Sequence, residues 1–135
     1  MTGYKELSYL LKNMEPTHVP GAYIFATVSE ETVETLGSAP RLVFREEEAI
    51  TVIVTKEIAE THSLSFDSVW ALITLTVHSD LEAVGFLAKI TSILAEAGIT
   101  ANTVSAYYHD HLFVPELRVE DALSLLRNLS NSIVV

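Results

Sequence analysis

The chain has 135 residues, 49% of them hydrophobic and 19% charged, which is enough apolar material for a packed core and too little charge for disorder. The net charge of −10 is spread over both halves, so phosphate backbones and anionic surfaces are repelled, and nucleic acid and membrane are set aside as partners. No cysteine is present, which excludes disulfides, thiolate chemistry and cysteine-held metals; residues 1–13 lack the apolar run of a signal peptide, so a cytoplasmic protein is expected.

In chain order, Tyr4, Leu7, Leu10 and Leu11 share one side of a short amphipathic helix, with Thr2 as its cap and Asn13 at its end. Pro20-Gly21 marks a turn, and Ala22 to Val28 reads as a strand. Ser29 to Pro40 is polar and reads as a loop. Arg41–Arg45 and Ile50–Thr55 form two strands around a solvated tip, Glu46-Glu47-Glu48. A short helix over Lys56–His62 follows, then a polar loop over Ser63–Ser68.

The second half is clearer. Trp70 to Val77 is apolar on both sides and predicts a central strand. A loop, His78 to Glu82, leads into a helix in which Ala83, Leu87, Ile90, Leu94 and Ala97 define one face, and Gly98 stops it. Ala101–Tyr108 and Leu112–Val114 read as strands around a turn at His109-Asp110-His111. Tyr107 and Tyr108 then fall on opposite faces of a strand. Val119, Ala122, Leu123, Leu126 and Leu129 define a last helix, and Ser132 to Val135 a final edge strand.

This order, strand–helix–strand–strand–helix–strand, is the ferredoxin-like βαββαβ pattern. The expected fold is α+β, with two halves, each an antiparallel sheet covered by helices on one face. Residues 1–65 form a degenerate copy whose first helix precedes its first strand. Residues 66–135 form the regular copy.

Few residues suggest chemistry. A helix start near Gly85 offers unpaired N–H groups to a carboxylate. Asp80 either caps that helix or holds an ammonium group, and Gly85 either relieves crowding or admits a ligand. His109-Asp110-His111 resembles a metal clip, with His78 as the one plausible helper, but its place favours a plain turn. No nucleophile elbow, phosphate loop or dinucleotide fingerprint occurs. No catalytic residue, metal site or cofactor is therefore expected, and the chain reads as a non-enzyme.

The strand Leu72–Val77, the loop His78-Ser-Asp80, Gly85 and the step Ile93-Leu-Ala-Glu-Ala-Gly-Ile99 resemble the ACT domain family in order and spacing. Leu10–Met14, Arg45–Glu48, His78–Gly85 and Tyr107–Pro115 extend the likeness to small bacterial tandem-ACT proteins of unassigned function, and more distantly to the ACT-based arginine sensors of animals. Val84 stands where the family usually carries proline. The resemblance implies a regulatory module that binds an amino acid or similar metabolite where two ACT units meet. The implied ligand-binding residues are His78, Ser79, Asp80, Leu81, Val84 and Gly85, with Asn102, Thr103 and Val104 on the facing strand. The alternative is an interaction or structural unit with no ligand. A homodimer or larger homo-oligomer is expected through sheet edges, with Ile133-Val-Val135 as one candidate edge.

Overall fold

The computed structural model describes residues 3–134. Its elements run α1 (Leu7–Lys12), β1 (Pro16–Val28), α2 (Glu30–Leu36), β2 (Leu42–Arg45), β3 (Ile50–Thr55), α3 (Lys56–Thr61), β4 (Trp70–Leu75), α4 (Phe86–Glu96), β5 (Asn102–Ser105), β6 (Asp110–Pro115), a 3-10 turn (Glu116–Arg118) and α5 (Val119–Ser132). The fold is α+β, as expected. The chain forms two compact units. The larger joins residues up to Pro20 with those from Ala71 onward, and the smaller is Gly21–Trp70. The halves expected from the sequence ran 1–65 and 66–135. The compact units differ because the described residues up to Pro20 pack with those from Ala71 onward.

In the larger unit the strands are ordered β1-β4-β6-β5, with the first residues of β1 on one edge. Thr76 N–H donates to the Met14 carbonyl at 2.7 Å, fastening that edge. Ala71, Ile73 and Leu75 of β4 and Leu112 and Val114 of β6 alternate onto one face. Against them pack Leu10 and Leu11 of α1, Phe86, Ile90 and Leu94 of α4, and Val119, Ala122, Leu123 and Leu126 of α5. Ile90 and Leu94 belong to the α4 face read from the sequence; Phe86 takes the buried place expected of Leu87, which is half-buried with Ala97, and burying this face drives the unit's assembly.

The helix ends have local causes. At the end of α4, Ile99 N–H reaches the Leu94 carbonyl and Gly98 N–H the Ala95 carbonyl, both at 2.9 Å. Gly98 takes φ +71°, so these bonds form a Schellman cap with Ile99 against Leu94. The helix starts later than expected, at Phe86. Gly85 precedes it at φ +92°, outside the right-handed helical region, so the helix does not reach back to the expected Ala83. Glu6 caps α1, its carboxylate accepting from Ser8 and Tyr9 N–H; Thr2, the expected cap, lies outside the described residues. α5 ends at Ser132, and Ile133 and Val134 form no strand; Val135 lies outside the described residues.

The smaller unit orders its strands β2-β3-β1. Ile24, Ala26, Ile50, Val52 and Val54 line one face, covered by Leu36 of α2 and Ala59 of α3. The segment read as a loop, Ser29 to Pro40, contains α2. Ser29 accepts from Thr32 N–H at 3.2 Å, Glu30 and Glu31 sit in the positive first turn, and Val33 and Leu36 reach the core. The apolar spacing is too short to announce a helix of seven residues, and the caps decide it.

The two hairpins share one register. Leu42, Val43, Phe44 and Arg45 face Ile53, Val52, Thr51 and Ile50. Asn102, Thr103, Val104 and Ser105 face Phe113, Leu112, His111 and Asp110. Each residue of the second set is numbered 60 above its counterpart. Residues 45–60 and 105–120 also follow the same order of buried, half-buried and exposed positions. Only Val54/Val114 and Glu60/Glu120 are identical between these segments. The duplication is thus written in register and burial rather than in residue identity.

Candidate ligand-binding site

A cavity of about 150 Å³ opens in the larger unit between the β4–α4 loop, the start of α4 and the β5–β6 hairpin. Ser79, Asp80, Leu81 and Gly85 line it from the loop, Phe86 to Ala88 from the helix, and Ser105, Ala106 and Asp110 from the hairpin. A wider groove of about 450 Å³ near Lys12, Glu15 and Arg127 is open, and those charged residues are exposed.

Asp110 is the chemical centre of the smaller site. It is only 7% exposed. Ser79 Oγ donates to its Oδ2 at 2.9 Å, and Ser105 Oγ to its Oδ1 at 2.7 Å. A carboxylate has about four lone-pair positions, so both oxygens keep acceptor capacity. The opposite wall carries the start of α4, which has no side-chain cap bond. Its first-turn N–H groups have no partner within the helix and carry its partial positive charge. Negative and positive ends therefore face one small space.

The sequence places Asp110 in a tight turn. In the structure the turn is Ala106–His109, closed by Ala106 N–H to the His109 carbonyl at 3.0 Å, and Asp110 opens β6. Two serines spaced correctly around an Asp leave no local sequence signal, so this residue was not singled out as a ligand contact. Its neighbours do not converge with it. His109 Nδ1 lies 3.3 Å from the Val77 carbonyl, and His111 Nδ1 lies 2.9 Å from Thr74 Oγ1. Among the described residues no group of three or more His, Asp or Glu is placed to hold a metal. Tyr107 and Tyr108 sit in the turn rather than on opposite faces of a strand. Both are more than half exposed, with ring centroids 5.1 Å apart.

The residues expected to bind divide. Ser79, Asp80, Leu81 and Gly85 line the cavity. Asp80 Oδ1 accepts from Glu82 N–H at 2.8 Å, so it tightens the loop rather than capping α4. The His78 ring leans on Tyr108 at 5.0 Å, and Val84 projects into solvent. Asn102, Thr103 and Val104 precede Ser105 in β5 and are not among the lining residues. Gly85 is not crowded: a Cβ there would meet only Leu7 Cδ2, at 3.8 Å. Its positive φ, rather than space, requires glycine.

The matching hairpin of the smaller unit differs at the decisive positions. Ile50 occupies the place of Asp110, and Arg45 that of Ser105. Arg45 Nε donates to Glu30 Oε1 at 2.6 Å. That bond, and then the Glu30 charge, push the Arg45 guanidinium above its usual value.

Fold and site together define a two-unit α+β module with a small polar cavity in one unit. The chain belongs to the ACT domain family, whose profiles match residues 2–71 and again 63–128. ACT domains are typically regulatory, ligand-binding modules. A crystal structure of a Vibrio cholerae protein of unknown function, described as a possible transport protein, is 40% identical and superposes with a TM-score of 0.82, covering 92% of this chain and 95% of that one. An Agrobacterium tumefaciens protein is 19% identical, with a TM-score of 0.68 and coverage of 85% and 87%. The ligand-free regulatory subunit of aspartate kinase from Thermus thermophilus is 10% identical, with a TM-score of 0.67 and coverage of 87% and 98%. The last two show a shared fold. No curated protein matches the sequence. No helix among the described residues is long and apolar enough to cross a membrane.

Proposed function

We propose that this protein is a regulatory module that binds a small amino acid as a zwitterion in the larger unit and performs no catalysis. One observation carries the reading: the buried Asp110 and the uncapped start of α4 line the same cavity of about 150 Å³. The ligand carboxylate takes the N–H groups at the start of α4. The ammonium group takes Asp110, with the Ser79 and Ser105 hydroxyl oxygens as further acceptors. Asp110 is thus the facing acid, and Asp80 shapes the loop.

Size supports a small ligand. An engineered apolar cavity of about 150 Å³ takes up benzene, a molecule with about as many heavy atoms as alanine. Glycine, alanine and serine fit this space better than arginine or an aromatic amino acid. A homo-oligomer through the exposed edges β2 and β5 remains part of the proposal, and light scattering that gave a monomer mass would remove it.

A thermal-shift screen with the twenty amino acids tests the reading. A ligand at 100 times its Kd stabilises the folded state by about 2.7 kcal/mol. The expected result is a rise in Tm with one or more small amino acids and none with arginine. No shift with any amino acid overturns the proposal.

A further inference from the structure

The segment before α1 lies along the loop that forms the site. Tyr4 N–H donates to the His78 carbonyl at 2.8 Å, and Asp80 N–H donates to the Tyr4 carbonyl at 2.8 Å. These two bonds make a parallel bridge between Tyr4 and Ser79. Gly3 lies closer still. A Cβ there would stand 2.6 Å from the His78 carbonyl oxygen and 2.8 Å from Asp80 N. Both are backbone atoms of the loop, so they cannot swing aside as a side chain would.

The other end of the segment is anchored in the core. Leu10, Leu11 and Met14 are buried, and Ser130 Oγ donates to the Lys12 carbonyl at 2.7 Å. Tyr4 also stacks on Tyr9, with ring centroids 4.3 Å apart. The segment is a strap fastened at one end to the core and at the other to the loop.

Apart from the strap, the loop is held by the His78 ring on Tyr108, the Ser79 bond to Asp110 and an exposed Lys5–Glu82 ion pair at 3.7 Å. Leu81, Glu82 and Val84 are exposed, and the internal bonds are Ala83 N–H to the Asp80 carbonyl and Glu82 N–H to Asp80 Oδ1. Ser79 stands between the strap and the site. Its backbone is bracketed by the Tyr4 bridge, and its hydroxyl is on Asp110. A loop ordered before the ligand arrives spares the ligand the entropic cost of ordering it.

We propose that Gly3 and Tyr4 are positioning residues for the ligand site: Tyr4 through its two backbone bonds, and Gly3 by letting the strap lie against the loop backbone, hold His78–Asp80 in the shape that binds, without touching the ligand. This rests on the amino-acid reading above, and the test separates the two. Hydrogen exchange is followed over residues 76–85 in the wild type, Gly3→Ala, Tyr4→Pro and Tyr4→Phe, and glycine, L-alanine and L-serine are titrated into each. Gly3→Ala forces the strap off the loop, and Tyr4→Pro deletes the N–H donor without adding bulk at position 3. Either should speed exchange at Asp80 at least tenfold, leave α4 and α5 amides protected, and weaken binding at least tenfold. Tyr4→Phe keeps both backbone bonds and should change neither readout. Should Gly3→Ala unfold the protein, Tyr4→Pro carries the test. Unchanged exchange at Asp80 overturns the proposal, as does faster exchange with unchanged affinity. A wild type that binds none of the three amino acids counts against the functional reading, and the exchange data still decide whether the strap orders the loop.

Discussion

Ser105 donates its hydroxyl to Asp110 across the β5–β6 register at 2.7 Å, and in the duplicated hairpin the same two places hold Arg45 and Ile50. One copy has a buried carboxylate facing a cavity. The other has a buried methyl-rich side chain, with its cation turned to Glu30. A chemistry that needs Asp110 can occur in one unit only.

The chain should therefore bind one ligand, not two. Isothermal titration with whichever small amino acid raises Tm should give one equivalent per chain. Two equivalents of equal affinity would show that the smaller unit binds without a counterpart to Asp110.

Asp110→Asn keeps the side chain's size and removes its charge. Hydrogen bonds to charged groups contribute about 1.5–3 kcal/mol, and about 1.4 kcal/mol is tenfold in affinity. Affinity for the zwitterion should fall at least tenfold while the folded state persists, because an amide can still accept from one serine and donate to the other. Calorimetric titration beside thermal denaturation checks both points; an unchanged Kd would remove Asp110 from the site.

Gly85→Ala should be costly for its backbone and not for its packing. A Cβ has room, with Leu7 Cδ2 at 3.8 Å, but φ of +92° disfavours any L side chain. A left-handed conformation costs a non-glycine residue about 1–2 kcal/mol. The urea midpoint should drop accordingly, with an unchanged m-value. A midpoint within error of the wild type would mean that the turn before α4 relaxes freely.

The fragment 66–135, a natural choice from the sequence, should not fold on its own. Its core lacks Leu10, Leu11 and Met14, all buried in the larger unit. Truncating one core leucine to alanine costs about 2–5 kcal/mol, and stability margins are only about 5–15 kcal/mol. A dispersed amide spectrum from this fragment, with native thermal stability, would contradict the assignment of α1 to that core.

Much of the architecture was legible because it rests on local rules. The period of Ile90, Leu94 and Ala97, the Gly98 stop and the alternation from Trp70 to Leu75 each depend on neighbours a few residues away. The same rules misplaced α2, whose single apolar turn is decided by the Ser29 cap, and both tyrosines of the β5–β6 turn, where a shift of a few residues changes every facing. Ser79, Asp80, Leu81 and Gly85, which the resemblance implied, line the cavity where binding is proposed, while Asn102, Thr103 and Val104, implied with them, are not among its lining residues.

The sequence by itself determined the α+β class, the amphipathic faces, the acidic surface and the ACT family, because periodicity, composition and motif order are properties of contiguous residues. Only the tertiary structure decided that Asp110 is buried between Ser79 and Ser105, that α1 completes the core of the second half, and that Gly3 and Tyr4 clamp the loop. Ser79 and Asp110 are 31 residues apart and Tyr4 and Ser79 are 75 apart. Their meeting depends on how the sheet and helices bury apolar surface, and no local pattern in the chain records it.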